Sequence, residues 1–215
     1  MRHVFLFITT FAVLFTSCSH DEANISGMEA EMCTMPTRSG GIITYVVTDK
    51  NENLSFIQPA TIAWAEKADT IYRALLYFRR EGVNIVPVAA EQVLLLRPKT
   101  RQEMKNVPKA DDPLTFVSGW YAKNGKYLNL TVDIKTGTPE DNGSHNIAML
   151  CDTVKTSPTG KRYCYRMLHE RNGVPEYYSV RVYFSVPAED INAGDTVDVT
   201  IPTYDGEVQK QYIKR

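Results

Sequence analysis

The second half of the chain alternates apolar and polar residues with a period of two, which is typical of a β-strand with one buried face. The clearest example predicts a strand over residues 127–134, with an inward face made of Leu128, Leu130, Val132 and Ile134. The same alternation recurs over 177–186 and over 197–201. It therefore predicts several half-buried antiparallel strands.

Three dipeptides that favour two-residue hairpin turns separate these runs: Asn124-Gly125, Asn172-Gly173 and Asp205-Gly206. The turn at 172–173 predicts a register, in which the opposed pairs are Tyr163 with Val182, Tyr165 with Val180, and Met167 with Tyr178. All six residues then share one face. Many short antiparallel strands at this spacing indicate a sandwich or a barrel.

The first half is also β-rich. Residues 42–48 and 54–58 predict two strands because they are rich in β-branched and aromatic residues. A further strand is expected from about Ile71, where alternation outweighs a helical composition, and another over 91–97. Residues 98–113 contain three Pro and many charges, which suits a linker between two domains.

The chain begins with one basic residue, Arg2, and a short apolar run from Val4 to Phe15. This run is shorter than the roughly 20 apolar residues that a spanning helix needs. It has the pattern of a secretory signal peptide. The residues Phe15-Thr16-Ser17-Cys18 resemble a bacterial lipobox of the Bacteroidetes form. We expect a signal peptide over 1–17 and lipid on Cys18; ordinary secretion is the alternative.

Lipid on Cys18 would attach a folded domain durably to a membrane, because two or more acyl chains anchor stably. By resemblance to other lipoproteins, Ser19 in the next position favours the outer membrane. The acidic residues Asp21 and Glu22 resemble a surface-export signal, or they belong to a solvated tether. We expect a tether over 18–38.

Composition narrows the class of protein. Removing a 17-residue signal from the 215-residue chain leaves 198 residues, enough for one large or two small domains. Arg2 is the only charged residue of that signal, so 23 basic and 25 acidic side chains remain, a net charge of −2. A nucleic-acid-binding protein normally shows a basic excess. We therefore expect no nucleic-acid partner.

The chain has four Cys, and none forms a Cys-x-x-Cys pair. No His pair has the spacing of metal ligands, so we expect no metal and no cofactor. If residues 145–151 pair with 163–169 around a turn at Ser157, Cys151 lies opposite Cys164. A cross-strand disulfide and two free thiols both remain open.

No catalytic motif is recognisable, because the chain has no Gly-x-Ser-x-Gly elbow and no Gly-rich phosphate loop after a strand. We therefore expect a protein that is not an enzyme. His145 is interpreted as a structural hydrogen-bonding group and His169 as solvent-facing. Tyr177, Arg181 and Tyr183 lie on the polar side of a predicted strand and are the candidates for surface contact.

Four segments resemble the NigD-like family of Bacteroidetes lipoproteins: 126–130 (KYLNL), 145–150 (HNIAML), 178–180 (YSV) and 203–206 (TYDG). The resemblance implies an all-β protein with an N-terminal OB-like small barrel, here 39–100, followed by a C-terminal antiparallel β-sandwich, here 111–215. It supplies no catalytic residues.

The sequence and the resemblance together predict an outer-membrane lipoprotein, anchored through Cys18, with a non-catalytic binding or envelope-assembly role. Its partner would be a protein or a glycan. Two alternatives stay open, a fimbrial or adhesin-type subunit and a protein related to bacteriocin immunity.

Overall fold

The computed structural model describes residues 27–104, 111–138, 143–158 and 160–215. These ranges fold into thirteen strands in two sheets, with one 3-10 turn at Ser39–Gly41. The predicted all-β class is confirmed. Cys18 and the predicted signal peptide lie outside the described residues. Nothing in those ranges forms a helix long and apolar enough to cross a membrane.

Five strands belong to the first half of the chain: β1 (Met28–Pro36), β2 (Ile43–Thr48), β3 (Asn53–Ala60), β4 (Ile71–Glu81) and β5 (Asn84–Leu95). The short β6 (Lys99–Thr100) follows. Seven strands belong to the second half: β7 (Thr115–Tyr121), β8 (Tyr127–Thr136), β9 (Asn146–Ser157), β10 (Gly160–Glu170), β11 (Tyr178–Pro187), β12 (Thr196–Thr203) and β13 (Gly206–Ile213).

The larger sheet contains strands from both halves. Its order is β3-β2-β1-β4-β5-β11-β8-β7, and β3 also pairs with β5. The halves meet where β5 runs parallel to β11 and residues 93–95 lie opposite 183–185. The two predicted domains therefore share one sheet.

The prediction of a tether over 18–38 is wrong for residues 28–36. Met28–Pro36 forms β1, which pairs with both β2 and β4. Cys33 and Met35 are fully buried in the core of the first half. The segment looked like a tether because its apolar residues are Met and Cys scattered among polar ones, yet Met packs readily into irregular cores.

The smaller sheet has the order β13-β12-β10-β9-β6. Side chains from both sheets form one core between them, which includes all the predicted inward residues of β8 and β12: Leu128, Leu130, Val132, Ile134, Val197, Val199 and Ile201. Burying each such side chain is worth about 1.5–3 kcal/mol. This core therefore holds the two sheets together.

Two of the three predicted hairpins are confirmed. Asn124-Gly125 connects β7 to β8, and Asp205-Gly206 connects β12 to β13. The third is wrong: β10 pairs with β9 and β12, whereas β11 pairs with β8 and β5. Asn172 and Gly173 do adopt left-handed backbone angles, but the turn carries the chain from one sheet to the other. Alternation specifies which face is buried, not which strand is the neighbour.

The predicted pairing of Cys151 with Cys164 is also wrong, although β9 and β10 form the expected antiparallel hairpin. A bulge places Cys151 opposite Tyr165 and Cys164 opposite Thr153. Cys151 packs against the core, whereas Cys164 lies between two core-facing Tyr and points the other way. Both are free thiols in the structure.

A buried polar network joins the two halves. The Arg73 guanidinium on β4 forms a two-pronged ion pair with Asp49, with Nη1–Oδ1 at 2.8 Å and Nη2–Oδ2 at 3.0 Å. Its Nε also donates to Ser185 Oγ on β11 at 3.2 Å, and its Nη2 to Asn129 Oδ1 on β8 at 3.3 Å. The Tyr127 ring lies 4.0 Å from the guanidinium carbon. Each half thus supplies polar groups that the other half needs.

We expect Arg73→Met to lower the free energy of unfolding by about 3–5 kcal/mol, because it leaves a buried carboxylate without its cation. Urea unfolding would measure the loss. Arg80→Met is the matched control, since Arg80 pairs with Glu29 and Glu52 but its side chain is 40% exposed. That change should cost no more than about 1 kcal/mol. Equal losses in the two variants would contradict a special role for the buried network.

Candidate functional site

An apolar cleft of about 420 Å³ lies beside the core between the two sheets, near the ends of four strands. Its walls come from the end of β5, from β8 and β11, and from the start of β9, and they consist of Leu94, Leu96, Ile134, His145, Asn146, Ile147, Ala148, Val180 and Val182. Leu94 and Val180 remain 36% and 38% exposed there. The cleft is therefore a place where apolar side chains stay accessible beside a polar group, as is common in ligand sites.

Two histidines form a hydrogen-bonded pair at this cleft. His145 Nδ1 lies 3.0 Å from His169 Nε2, and the rings stack with centroids 5.2 Å apart. His145 makes the hydrogen bond that was expected of it. The prediction that His169 faces solvent is wrong, because His169 is fully buried and its backbone bridges to Asp111. The segment that begins at Asp111 thus covers the end of β10.

The hydrogen bonds determine the tautomers of the pair. His169 Nδ1 lies 3.0 Å from the carbonyl oxygen of Asp112, which can only accept, so Nδ1 carries the proton. In the neutral ring Nε2 is then an acceptor, and His145 must donate to it from Nδ1. His145 Nε2 is left as a bare acceptor, buried and without a partner among the described residues. An unmet buried acceptor costs about 1–3 kcal/mol.

Burial lowers the pKa of both imidazoles below the ordinary value, and nearby positive charge adds to this effect. For His145 the further causes that lower the pKa are His169 and Arg171. For His169, burial outweighs the hydrogen bond to the Asp112 carbonyl, which raises the pKa. Both rings are therefore neutral near pH 7, as the chain of hydrogen bonds requires.

Asp112 and Arg171 hold the covering segment over the pair. The backbone N–H of Arg171 donates to Asp112 Oδ2 at 2.7 Å, and its Nε lies 3.3 Å from Oδ1. Burial raises the pKa of Asp112, but these contacts with Arg171 outweigh it and lower the pKa overall. No cluster of three or more metal-ligating side chains occurs in the ranges that the structure describes.

The predicted contact residues lie elsewhere and do not form one cluster with the histidines. Arg181 is held by Asp133, with distances of 2.8 and 3.0 Å to its two carboxylate oxygens. Tyr183 is half-buried on the outer face of β11, near Tyr77. The pKa of Tyr77 is raised mainly by burial and by its hydrogen bond to Glu91, and Tyr183 adds a smaller contribution. Tyr177 precedes the strand and is 78% exposed. Their role in surface contact stays a prediction.

Sequence reasoning missed the histidine pair although it contained the signal for it. The predicted pairing of 145–151 with 163–169 places His145 beside His169 at the end of the hairpin. The stacking and burial of the pair depend on the segment that contains Asp112, which is 57 residues from His169. No local pattern indicates that contact.

The fold and the cleft define an all-β protein of two sheets with an apolar cleft beside a neutral histidine pair. No protein-family model and no curated protein matches the sequence. Solved structures do share the fold. A NigD-like immunity protein from Bacteroides caccae superposes with a TM-score of 0.69 at 20% identity, over 87% of this chain and 97% of that one.

Two further structures agree. A predicted toxin-related protein from Parabacteroides distasonis has a TM-score of 0.63 at 18% identity, covering 86% of this chain and 92% of its own. A predicted lipoprotein from Bacteroides fragilis has a TM-score of 0.59 at 11% identity, covering 87% and 98%. The resemblance to the NigD-like family is thereby confirmed at the level of the fold.

We expect acidification below pH 6.5, the ordinary histidine pKa, to destabilise the protein. The unfolded chain takes up protons at His145 and His169 there, whereas the folded chain resists them. Stability is thus complete above pH 6.5 and declines as the pH falls toward the lowered pKa values. Urea unfolding at several pH values between about 7 and 4 would measure this slope.

His145→Phe is the matched variant, because it keeps a stacked ring and removes one titrating group. Its stability should fall less steeply over the same pH interval, since fewer protons are taken up on unfolding. An identical slope in the two proteins would contradict the pKa assignment.

Proposed function

We propose that this protein is a lipoprotein of the bacterial outer membrane that acts by binding rather than by catalysis. The observation that carries the proposal is the shared fold: the chain superposes on a NigD-like immunity protein and on a predicted lipoprotein. The lipobox-like residues Phe15-Thr16-Ser17-Cys18 agree with it. Display on the cell surface, rather than in the periplasm, is part of the proposal and rests on Asp21 and Glu22.

The architecture proposed is an OB-like barrel followed by a β-sandwich. The pairing of β3 with β5 supports the barrel, because it joins the ends of a ring of five strands, β1 to β5. The shared core between β7, β8 and β11 on one side and the smaller sheet on the other supports the sandwich. The Arg73 network would hold barrel and sandwich as one unit.

The chemistry of the cleft favours binding. Its histidine pair ends at a backbone carbonyl, which orients the rings, while the nearby Asp112 carboxylate is held by Arg171 and does not hydrogen-bond to either imidazole. Apolar walls and one buried acceptor instead suit an apolar group that carries a hydrogen-bond donor. Lipid would fix the location, and the β-surfaces would meet the partner.

Inhibition of lipoprotein signal peptidase with globomycin tests the anchor. We expect the untreated protein to be processed and to partition with membranes, and treatment to leave the longer precursor. Cys18→Ser should abolish lipid attachment and release the protein from the membrane fraction, whereas Cys164→Ser should behave as wild type. An unchanged size and unchanged partitioning under globomycin would rule out the lipoprotein assignment.

A second candidate function is immunity to a bacteriocin, favoured by the description of the Bacteroides caccae structure as a NigD-like immunity protein. We expect a strain that lacks the gene for this protein to become more sensitive to bacteriocins made by neighbouring bacteria. A plasmid copy of the gene should restore resistance. Sensitivity that is the same with and without the gene, across the bacteriocins tried, would count against immunity while leaving the anchor untouched.

A further inference from the structure

A second cleft, of about 700 Å³, lies between the turn that connects β7 to β8 and the end of β13. β7 and β13 are the edge strands of their sheets on this side, so their outer backbone has no neighbouring strand among the described residues. The cleft is therefore open to a ligand from outside the molecule.

The charge of this cleft is positive. Lys123, Lys214 and Arg215 line it, and none of the described lining residues is acidic. The Lys214 ammonium is already held by the carbonyl oxygens of Ala188 and Ile191, each at 2.6 Å. Lys123 and Arg215 are exposed and form no hydrogen bond or ion pair within the described ranges, although the charge of Lys123 contributes, after Arg80, to lowering the pKa of Glu52. Because the whole chain has a net charge of −1, this local excess is not a general property of the surface.

The same cleft is aromatic. Trp120 stands at the end of β7 with 39% of its surface exposed, and Tyr121 and Tyr212 lie half-buried behind it. The Tyr121 hydroxyl is buried and has no partner among the described residues. A Cβ on Gly119 would collide with the Tyr212 ring, so the absence of a side chain there lets Tyr212 pack under the edge strand. An exposed indole and the cationic side chains of Lys123 and Arg215 therefore line one opening.

We infer that this cleft binds an acidic saccharide through a uronic acid unit. A flat, exposed indole offers an apolar face on which a sugar ring can stack while its polar edge stays hydrated. The guanidinium of Arg215 suits a carboxylate in a two-pronged arrangement, and the Lys123 ammonium adds a second positive charge. A peptide made of Asp and Glu would use the cations but has no ring to place on Trp120.

The inference rests on the proposed binding role and names a ligand class for it, but it does not depend on the lipid anchor. Loss of saccharide binding would leave the globomycin result unchanged. Conversely, a protein that is not lipidated could still bind the saccharide. The two proposals therefore fail separately.

Oligogalacturonate is the probe, titrated into the purified full-length protein in detergent. The chain has two Trp, so Trp64→Phe leaves Trp120 as the only indole and makes its fluorescence a reporter of this cleft. Trp64 packs edge-on against Tyr72 in the first half, and Phe preserves that contact. We expect the fluorescence of Trp120 to change on binding, and the affinity to fall as salt is raised.

The double variant Lys123→Gln/Arg215→Gln should weaken binding about tenfold or more, because it removes two charge-assisted contacts. Trp120→Ala, followed by calorimetry, should weaken it as well. Lys155→Gln is the matched control: Lys155 is exposed on β9, three strands away from β13 in the smaller sheet, and this variant should bind as wild type. All the substituted side chains are exposed, so thermal unfolding should be unchanged.

Several outcomes would overturn the inference. Oligogalacturonate that fails to bind, or that binds the double variant and wild type alike, would show that this cleft is not the site. Neutral oligogalactose binding equally well would remove the role of the cations. Poly-glutamate binding as tightly, with the same dependence on Lys123 and Arg215, would identify the ligand as an acidic peptide instead.

Discussion

The ion pair between Arg73 and Asp49 is the interaction on which the assembly of the two halves depends. Burying two charges is costly unless each finds its counter-charge and enough hydrogen bonds. Within the first half, Asp49 supplies the counter-charge of Arg73. Asn129 and Ser185 of the second half supply further hydrogen bonds to this ion pair. Asn129 Nδ2 donates to Asp49 at 2.8 Å, so the second half supplies hydrogen bonds that replace part of the water that the two charges lose when they are buried. Docking of the halves and stability of the ion pair are therefore one event.

The docking of the two halves also buries residues on the polar face of an alternating strand. β8 was expected to have one buried and one polar face, yet Asn129 and Thr131 on its polar face are buried as well. Asn129 faces the first half of the chain, where it donates to Asp49, whereas Leu128 and Leu130 face the smaller sheet. A central strand with two covered faces needs polar side chains whose hydrogen bonds are satisfied internally, and the Arg73 network satisfies those of Asn129.

The two clefts differ both in the strands that form them and in their chemistry. The first joins the end of β5 to strands of the second half and is apolar, with a neutral histidine pair at its side. The second lies at the open edges of the two sheets and is cationic and aromatic. One therefore suits an apolar group with a hydrogen-bond donor, and the other an anion with a flat ring. These two surfaces are the basis of the binding role proposed above.

Local pattern was enough to predict the all-β class, the hairpins at 124–125 and 205–206, and the inward faces of β8 and β12, because alternation and turn residues act over a few residues. The N-terminal signal and the lipid on Cys18 remain predictions from sequence. Only the tertiary structure decided that β10 and β11 separate into different sheets, that Met28–Pro36 is a strand, and that His169 is buried. These features depend on which distant segments pack together, and a single bulged residue beside Cys151 is enough to reverse a predicted contact.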